Sequence, residues 1–136
     1  MSNSLFGDNV GFVAKLDVTD LQSSTEWYAD SLGLFPDPRY QTRTWSQLNV
    51  PGLPGIAIGL DASGGSPGTG GSTPTFVVAD IQRTVAELTA KGVKVGEITP
   101  VGEGVQLAFF SDPDSNELGL RQNGPTHPGP EAVGRA

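Results

Sequence analysis

The 136-residue chain carries eight Lys and Arg against fifteen Asp and Glu, a formal charge of −7. That balance argues against a nucleic-acid binder, which needs clustered cations for the phosphates, and equally against docking on an anionic membrane surface. With no cysteine there is neither a disulfide framework nor thiolate chemistry, and with 36 % apolar residues, 19 Gly and 11 Pro the chain reads as globular and rich in turns.

No apolar run reaches membrane-spanning length. The opening Met1-Ser2-Asn3-Ser4 lacks the basic-then-apolar pattern of a secretory leader, so the expected location is the cytoplasm. Residues 1–10 are read as an N-terminal arm. Phe12 to Val18 alternates as a strand, with Phe12, Ala14, Leu16 and Val18 on one face and Val13, Lys15 and Asp17 on the other. Asp20 is placed to cap a helix that runs to about Leu32 and stops at Gly33. Leu21, Thr25, Tyr28 and Leu32 form its apolar stripe, with Trp27 packed at the helix edge.

Two strands are expected next, Leu34–Pro36 and Tyr40–Leu48, followed by the turn-rich Val50–Gly55 and a short apolar strand from Ile56 to Leu60. Residues 61–72 are almost entirely Gly, Ser, Pro and Thr and read as a flexible linker. Thr73 to Val78 opens a second series. Asp80 caps a helix of about Ile81 to Lys91 ended by Gly92, with Ile81, Val85 and Leu88 on its buried side. Strands Val93–Val101, Val105–Ser111 and Glu117–Gln122 follow, and residues 123–136 form a tail.

The two series share one register. Ile58-Gly59-Leu60 matches Leu118-Gly119-Leu120 at an offset of 60, and Val18-Thr19-Asp20-Leu21-Gln22 matches Val78-Ala79-Asp80-Ile81-Gln82 at the same offset. Two blocks in one register point to a duplicated unit. The expectation is an α+β fold of two tandem βαβββ modules, residues 11–60 and 73–122.

Val18-Thr19-Asp20-Leu21, Trp27-Tyr28-Ala29-Asp30-Ser31-Leu32-Gly33 and Asp112-Pro113-Asp114-Ser115-Asn116 resemble, in order, three features of the vicinal oxygen chelate superfamily. These are its strand-to-helix junction, its F/W-Y-x-x-x-L-G helix end and its D-P-D-G-N turn, with Ser115 where the family usually has Gly. The superfamily includes glyoxalase I, extradiol dioxygenases, fosfomycin-resistance enzymes and bleomycin-resistance binding proteins. The resemblance covers about residues 11 to 122. It implies paired modules whose strands curl into a mixed sheet around a cleft, and commonly a homodimer.

It also implies where metal ligands would stand: Val13 and Thr73 on the first strands, Gly59 and Gly119 on the last. Divalent metals of the family's type need imidazole nitrogens and carboxylate oxygens. Val13, Gly59 and Gly119 offer no side-chain donor and Thr73 only a hydroxyl. The chain's one histidine, His127, lies in the tail. The expectation is no metal and no cofactor. In place of inward carboxylates the two glycines would leave room, suited to a small-molecule pocket. Candidate contacts are Val13, Lys15, Trp45, Gly59, Thr73, Phe109, Gly119 and Arg121. Asp17, Thr75 and Glu117 share the inward parity, and the facing of Tyr40, Arg43, Trp45 and Phe109 is open. The paired glycines equally suit close strand approach with no ligand.

The leading reading is binding or sequestration of an aromatic or amphipathic small molecule. The alternatives are a metal-independent lyase or isomerase, with Asp17 or Glu117 as base and Lys15 or Arg121 on an oxyanion, and a non-catalytic dimer with a vestigial cleft.

Overall fold

The computed structural model describes Leu5 and residues 11–69 and 72–125. The rest of the N-terminal arm, His127 and the tail beyond Pro125 lie outside the described residues. The fold is α+β, and the chain divides into two compact units at Gly70–Gly71, with one exception. Pro113–Asn116 belongs to the first unit.

The first unit runs β1 (Phe12–Asp17), α1 (Leu21–Leu32), β2 (Phe35–Gln41), β3 (Trp45–Asn49) and β4 (Ile56–Asp61), with sheet order β1-β4-β3-β2. β1 lies parallel to β4, and the other two pairings are antiparallel. The second unit repeats the plan with β5 (Thr75–Val77), α2 (Ile81–Ala90), β6 (Thr99–Gly102), β7 (Val105–Ser111) and β8 (Glu117–Gln122), in order β5-β8-β7-β6. Each unit is thus a βαβββ module with a four-stranded mixed sheet.

Both helices begin and end as their residues dictate. The Asp20 carboxylate accepts from Ser23 N at 3.0 Å and that of Asp80 from Arg83 N at 3.1 Å, satisfying amides that have no intrahelical partner. Gly33 closes α1 at φ 73°, a left-handed conformation that a Cβ would penalise. α1 covers one face of its sheet, over Leu48, Ile58 and Leu60, all buried. Tyr28 is its fully buried residue and meets Trp27 edge-on, with ring centroids 4.9 Å apart. Ser24, outside the expected apolar stripe, is buried too, while Leu21, Thr25 and Leu32 are half-buried. In the second unit Ile81, Leu88, Ala108, Phe110, Leu118 and Leu120 form the equivalent core.

Two strand assignments differ most from the sequence reading. The break expected after Pro36 falls instead at Thr42–Thr44, because β2 is an edge strand and Pro38 forfeits no ladder bond there. Pro36 pairs with Leu48 and Gln41 with Ser46, so four residues, 37–40, stand against Gln47 alone in a wide bulge. The strand expected from Val93 shrinks to Thr99–Gly102, with only an isolated bridge from Val95 to Phe110 before it.

The Asp112–Asn116 turn explains its own place in the first unit. Asp114 accepts from Thr19 N (3.2 Å), Thr19 Oγ1 (2.7 Å) and the buried Ser24 Oγ (3.3 Å). Asn116 donates to the Asp17 carbonyl (2.8 Å) and accepts from Gly68 N (3.1 Å). The motif is therefore a structural latch at the start of α1. Ser115 sits at φ 66°, the conformation that suits the family's usual Gly.

Candidate functional site

In the first unit, the sheet face opposite α1 carries Val13, Lys15, Trp45, Gln47, Asn49, Ala57, Gly59 and Asp61, brought together by the β1–β4–β3 register. Three zones follow one another along it. At one end lies an open depression of about 850 Å³. Its walls include Val13, Phe35, Asp37, Arg39, Tyr40 and Asn49, and its rim is the turn-rich segment Val50–Gly55. Phe35 (60 % exposed), Tyr40 and Leu53 present apolar surface to solvent here. Exposed large apolar side chains gathered at a concavity are the ordinary mark of a binding surface.

The middle zone is Gly59. A Cβ at this position would collide with the six-membered ring of the Trp45 indole and would stand 3.0 Å from Val13 Cγ1. The room left by the missing side chain is therefore taken up by Trp45. This also settles the facing of Trp45.

The far zone is ionic. Lys15 Nζ donates to Asp17 (2.9 Å) and lies 3.5 Å from Asp61. The hydrogen bond to Asp17 raises the Lys15 pKa, and the same bond, helped by Ser66 N, lowers that of Asp17. Asp61 is lowered as well, first by the Ser63 hydroxyl and then by its backbone amide. Lys15 is thus committed to ion pairs and does not line the depression. Ser66 N donates to Asp17 at 3.2 Å, so the Gly/Ser-rich segment after β4 is hydrogen-bonded to this zone.

The bulge in β2 supplies a cluster the sequence reading overlooked. Asp37 has a side chain only 4 % exposed, and it accepts from Arg39 Nε (3.0 Å), Nη2 (2.8 Å) and backbone N (3.0 Å), and from Asn49 Nδ2 (3.0 Å). The Arg39 guanidinium, and after it Asn49, hold this carboxyl far below the ordinary range. Arg39 in turn lies over the Tyr40 ring, 5.1 Å from its centroid. The available signal was Asp37-Pro38-Arg39 itself, an acid and a base two apart, which reads as a turn until the bulge is known.

The second unit has an open sheet face of its own. Gly119 pairs with Thr75 and Phe109, and a Cβ there would meet Thr75 Oγ1 at 2.8 Å and Phe109 Cε1 at 3.2 Å. Thr73 donates to Glu117 (2.8 Å), and Arg121 Nε donates to Asn123 (2.7 Å). Thr73, Phe109, Gly119 and Arg121 thus belong to this unit, and Val13, Lys15, Trp45 and Gly59 to the first.

The metal that the family's enzymes use does not fit these positions. Val13 and Gly59 bring no donor, and the ring of Trp45 covers Gly59; Gly119 brings none, and Thr73 is bonded to Glu117. Among the described residues no group of three or more His, Cys, Asp or Glu is placed to hold a metal ion.

Duplicated βαβββ units, each with one sheet face under a helix and the other open, define a class of paired-module α+β proteins. The chain belongs to the Glyoxalase/Bleomycin resistance protein/Dioxygenase superfamily, whose family model matches residues 11–120. No curated protein matches the sequence. Among solved structures, TnmS3, an antibiotic binding protein from Streptomyces sp. CB03234, is similar with TM-score 0.74 and 23 % identity, covering 88 % of this chain and 99 % of that one. A member of the same superfamily from Sphaerobacter thermophilus DSM 20745 gives 0.71 and 23 %, covering 88 % and 100 %. A glyoxalase/bleomycin resistance protein from Streptomyces sp. CB03234 gives 0.66 and 22 %, covering 82 % and 99 %. At these identities the likeness concerns the fold.

Proposed function

We propose that the protein binds and sequesters an aromatic or amphipathic small molecule without turning it over, and does so without a metal. The observation that carries this reading is the depression of about 850 Å³ on the open face of the first unit, with Phe35, Tyr40 and Leu53 exposed around it. That volume lies within the range of small-molecule sites, where apolar walls and a few fixed polar groups are the rule. The antibiotic-binding description of TnmS3 supports the same reading. Val13, Trp45 and Gly59 form the floor next to the depression. Thr73, Phe109, Gly119 and Arg121 remain proposed ligand contacts on the open face of the second unit itself.

Of the two carboxylates considered as a general base, Asp17 has its pKa lowered by its hydrogen bond to Lys15, the opposite of what a base working near neutrality needs. The other, Glu117, accepts from the Thr73 hydroxyl. The proposal extends to a homodimer working in the cytoplasm, supported by the apolar surface left exposed and by family likeness. No helix among the described residues is long and apolar enough to cross a membrane.

The test is a calorimetric and thermal-shift screen of aromatic compounds against the native protein and Val13→Arg, a change at an exposed position in the depression. Saturable binding lost in the variant, with the compound recovered intact, is the expected result. Chemical conversion of the compound, or binding indifferent to the variant, overturns the proposal.

A further inference from the structure

The Asp37–Arg39 pair is built in a way that a plain surface ion pair is not. Asp37 is almost fully shielded and takes four donors, three of them from Arg39. Arg39, by contrast, has a side chain 72 % exposed, and its Nη1 makes no hydrogen bond among the described residues. The acid is therefore an anchor, and the guanidinium is held by two of its nitrogens, while its Nη1 has no acceptor among the described residues. Both residues line the depression, beside the rings of Phe35 and Tyr40. A guanidinium fixed in this way loses little further freedom when it donates again, so its hydrogen bonds come at low entropic cost.

We infer that Arg39, oriented by Asp37, selects ligands that carry a hydrogen-bond-accepting oxygen on an aromatic skeleton, either a carboxylate or a ring-attached carbonyl. This inference rests on the binding proposal above and narrows its ligand class. The aromatic part lies against Phe35 and Tyr40, and the oxygen accepts from Arg39 Nη1. Because Asp37 already balances the guanidinium charge, and the chain as a whole is at −7, the selection acts through short-range donation. A neutral carbonyl is then served about as well as a carboxylate. A cationic aromatic gains nothing from Asp37, whose oxygens are already engaged by Arg39 and Asn49. Asp37 is a positioning residue in this arrangement and Arg39 a binding one.

Three naphthalene probes of one size test this: 2-naphthoate, 2-acetylnaphthalene and 2-naphthylmethylamine, titrated calorimetrically against the native protein, Val13→Arg, Arg39→Gln and the double variant D37N/R39Q. The double variant keeps a hydrogen-bonding group at 37 without leaving a shielded carboxylate unpaired, and its thermal midpoint reports folding. The expected result is that naphthoate and acetylnaphthalene bind about tenfold more tightly than the amine, the effect of one hydrogen bond to a charged donor. That preference should vanish in both Arg39 variants while residual binding of all three remains sensitive to Val13→Arg. An amine that binds as tightly as the other two, or a preference that survives loss of Arg39, overturns the inference and leaves the binding proposal standing. Failure of all three probes to bind saturably, or binding indifferent to Val13→Arg, overturns both. A preference for naphthoate alone, lost in 0.5 M salt, assigns the effect to net charge and also overturns the inference.

Discussion

The indole of Trp45 occupies the space into which a side chain at Gly59 would project. The two residues sit on neighbouring strands, one register step apart on the same face, since Trp45 pairs with Asp61 and Gln47 with Gly59. Gly59 is thus a seat for an aromatic ring. The position to which the family resemblance assigns a metal ligand has no side-chain donor and lies under that ring.

Replacing that glycine should therefore be felt as overpacking. Gly59→Ala is expected to displace the Trp45 ring and to destabilise the protein by about 1–3 kcal/mol, the range for a forced extra methyl in a packed site. Tryptophan emission and the thermal midpoint measure it. A Gly59→Ala protein with unchanged emission and midpoint would mean the ring does not rest there. Gly59→Glu should act more strongly, because it adds a carboxylate to the same collision.

The latch turn offers a stabilising change. Ser115 holds φ 66°, where a residue with a Cβ is disfavoured by about 1–2 kcal/mol. Glycine removes that strain but adds freedom to the unfolded chain, a loss of about 0.4–1 kcal/mol. Ser115→Gly should therefore raise stability by up to about 1 kcal/mol in chemical denaturation, and a clear loss would contradict the left-handed assignment.

Asp114 should behave in the opposite sense. Asp114→Ala removes the acceptor for Thr19 N, Thr19 Oγ1 and the buried Ser24 Oγ. An expected cost of about 1–3 kcal/mol follows from leaving a buried polar group unmatched. Urea unfolding of this variant beside Pro113→Ala, which keeps all three acceptor contacts, separates the hydrogen bonds from the turn itself.

Acid should weaken the protein partly through Asp37. Its folded-state pKa is lowered, so the unfolded state binds the proton more readily and the carboxylate adds stability only while ionised. That contribution is complete above the ordinary aspartate value near 4 and is lost progressively as pH falls below it. Asp17 and Asp61 act in the same direction. Asp37→Asn should flatten the decline of the thermal midpoint between about pH 4 and pH 2 relative to the native protein. An unaltered slope would remove Asp37 from the account.

Much of the architecture was legible in the residues. Asp20 and Gly33 mark α1, Asp80 marks α2, and the offset of 60 between the matched blocks announces two copies of βαβββ. These are local effects, since a cap, a left-handed stop and an alternation are each decided within a few residues of chain. Val13, Gly59, Thr73 and Gly119 were expected to face inward because the family resemblance implies it, and Lys15, Asp17, Thr75, Glu117 and Arg121 by sharing their parity.

What lay beyond the sequence depends on which side chain meets which across strands. The β2 bulge arises because an edge strand can take extra residues without losing partners, and it alone brings Asp37, Arg39 and Asn49 together. Only the packed sheet decides that Trp45 fills the hollow of Gly59, that Lys15 is spent on Asp17 and Asp61, and that the Asp114 turn binds back onto Thr19 and Ser24. Local propensity specifies elements, but occupancy of space is settled between residues far apart in the chain, where sequence spacing carries no distance.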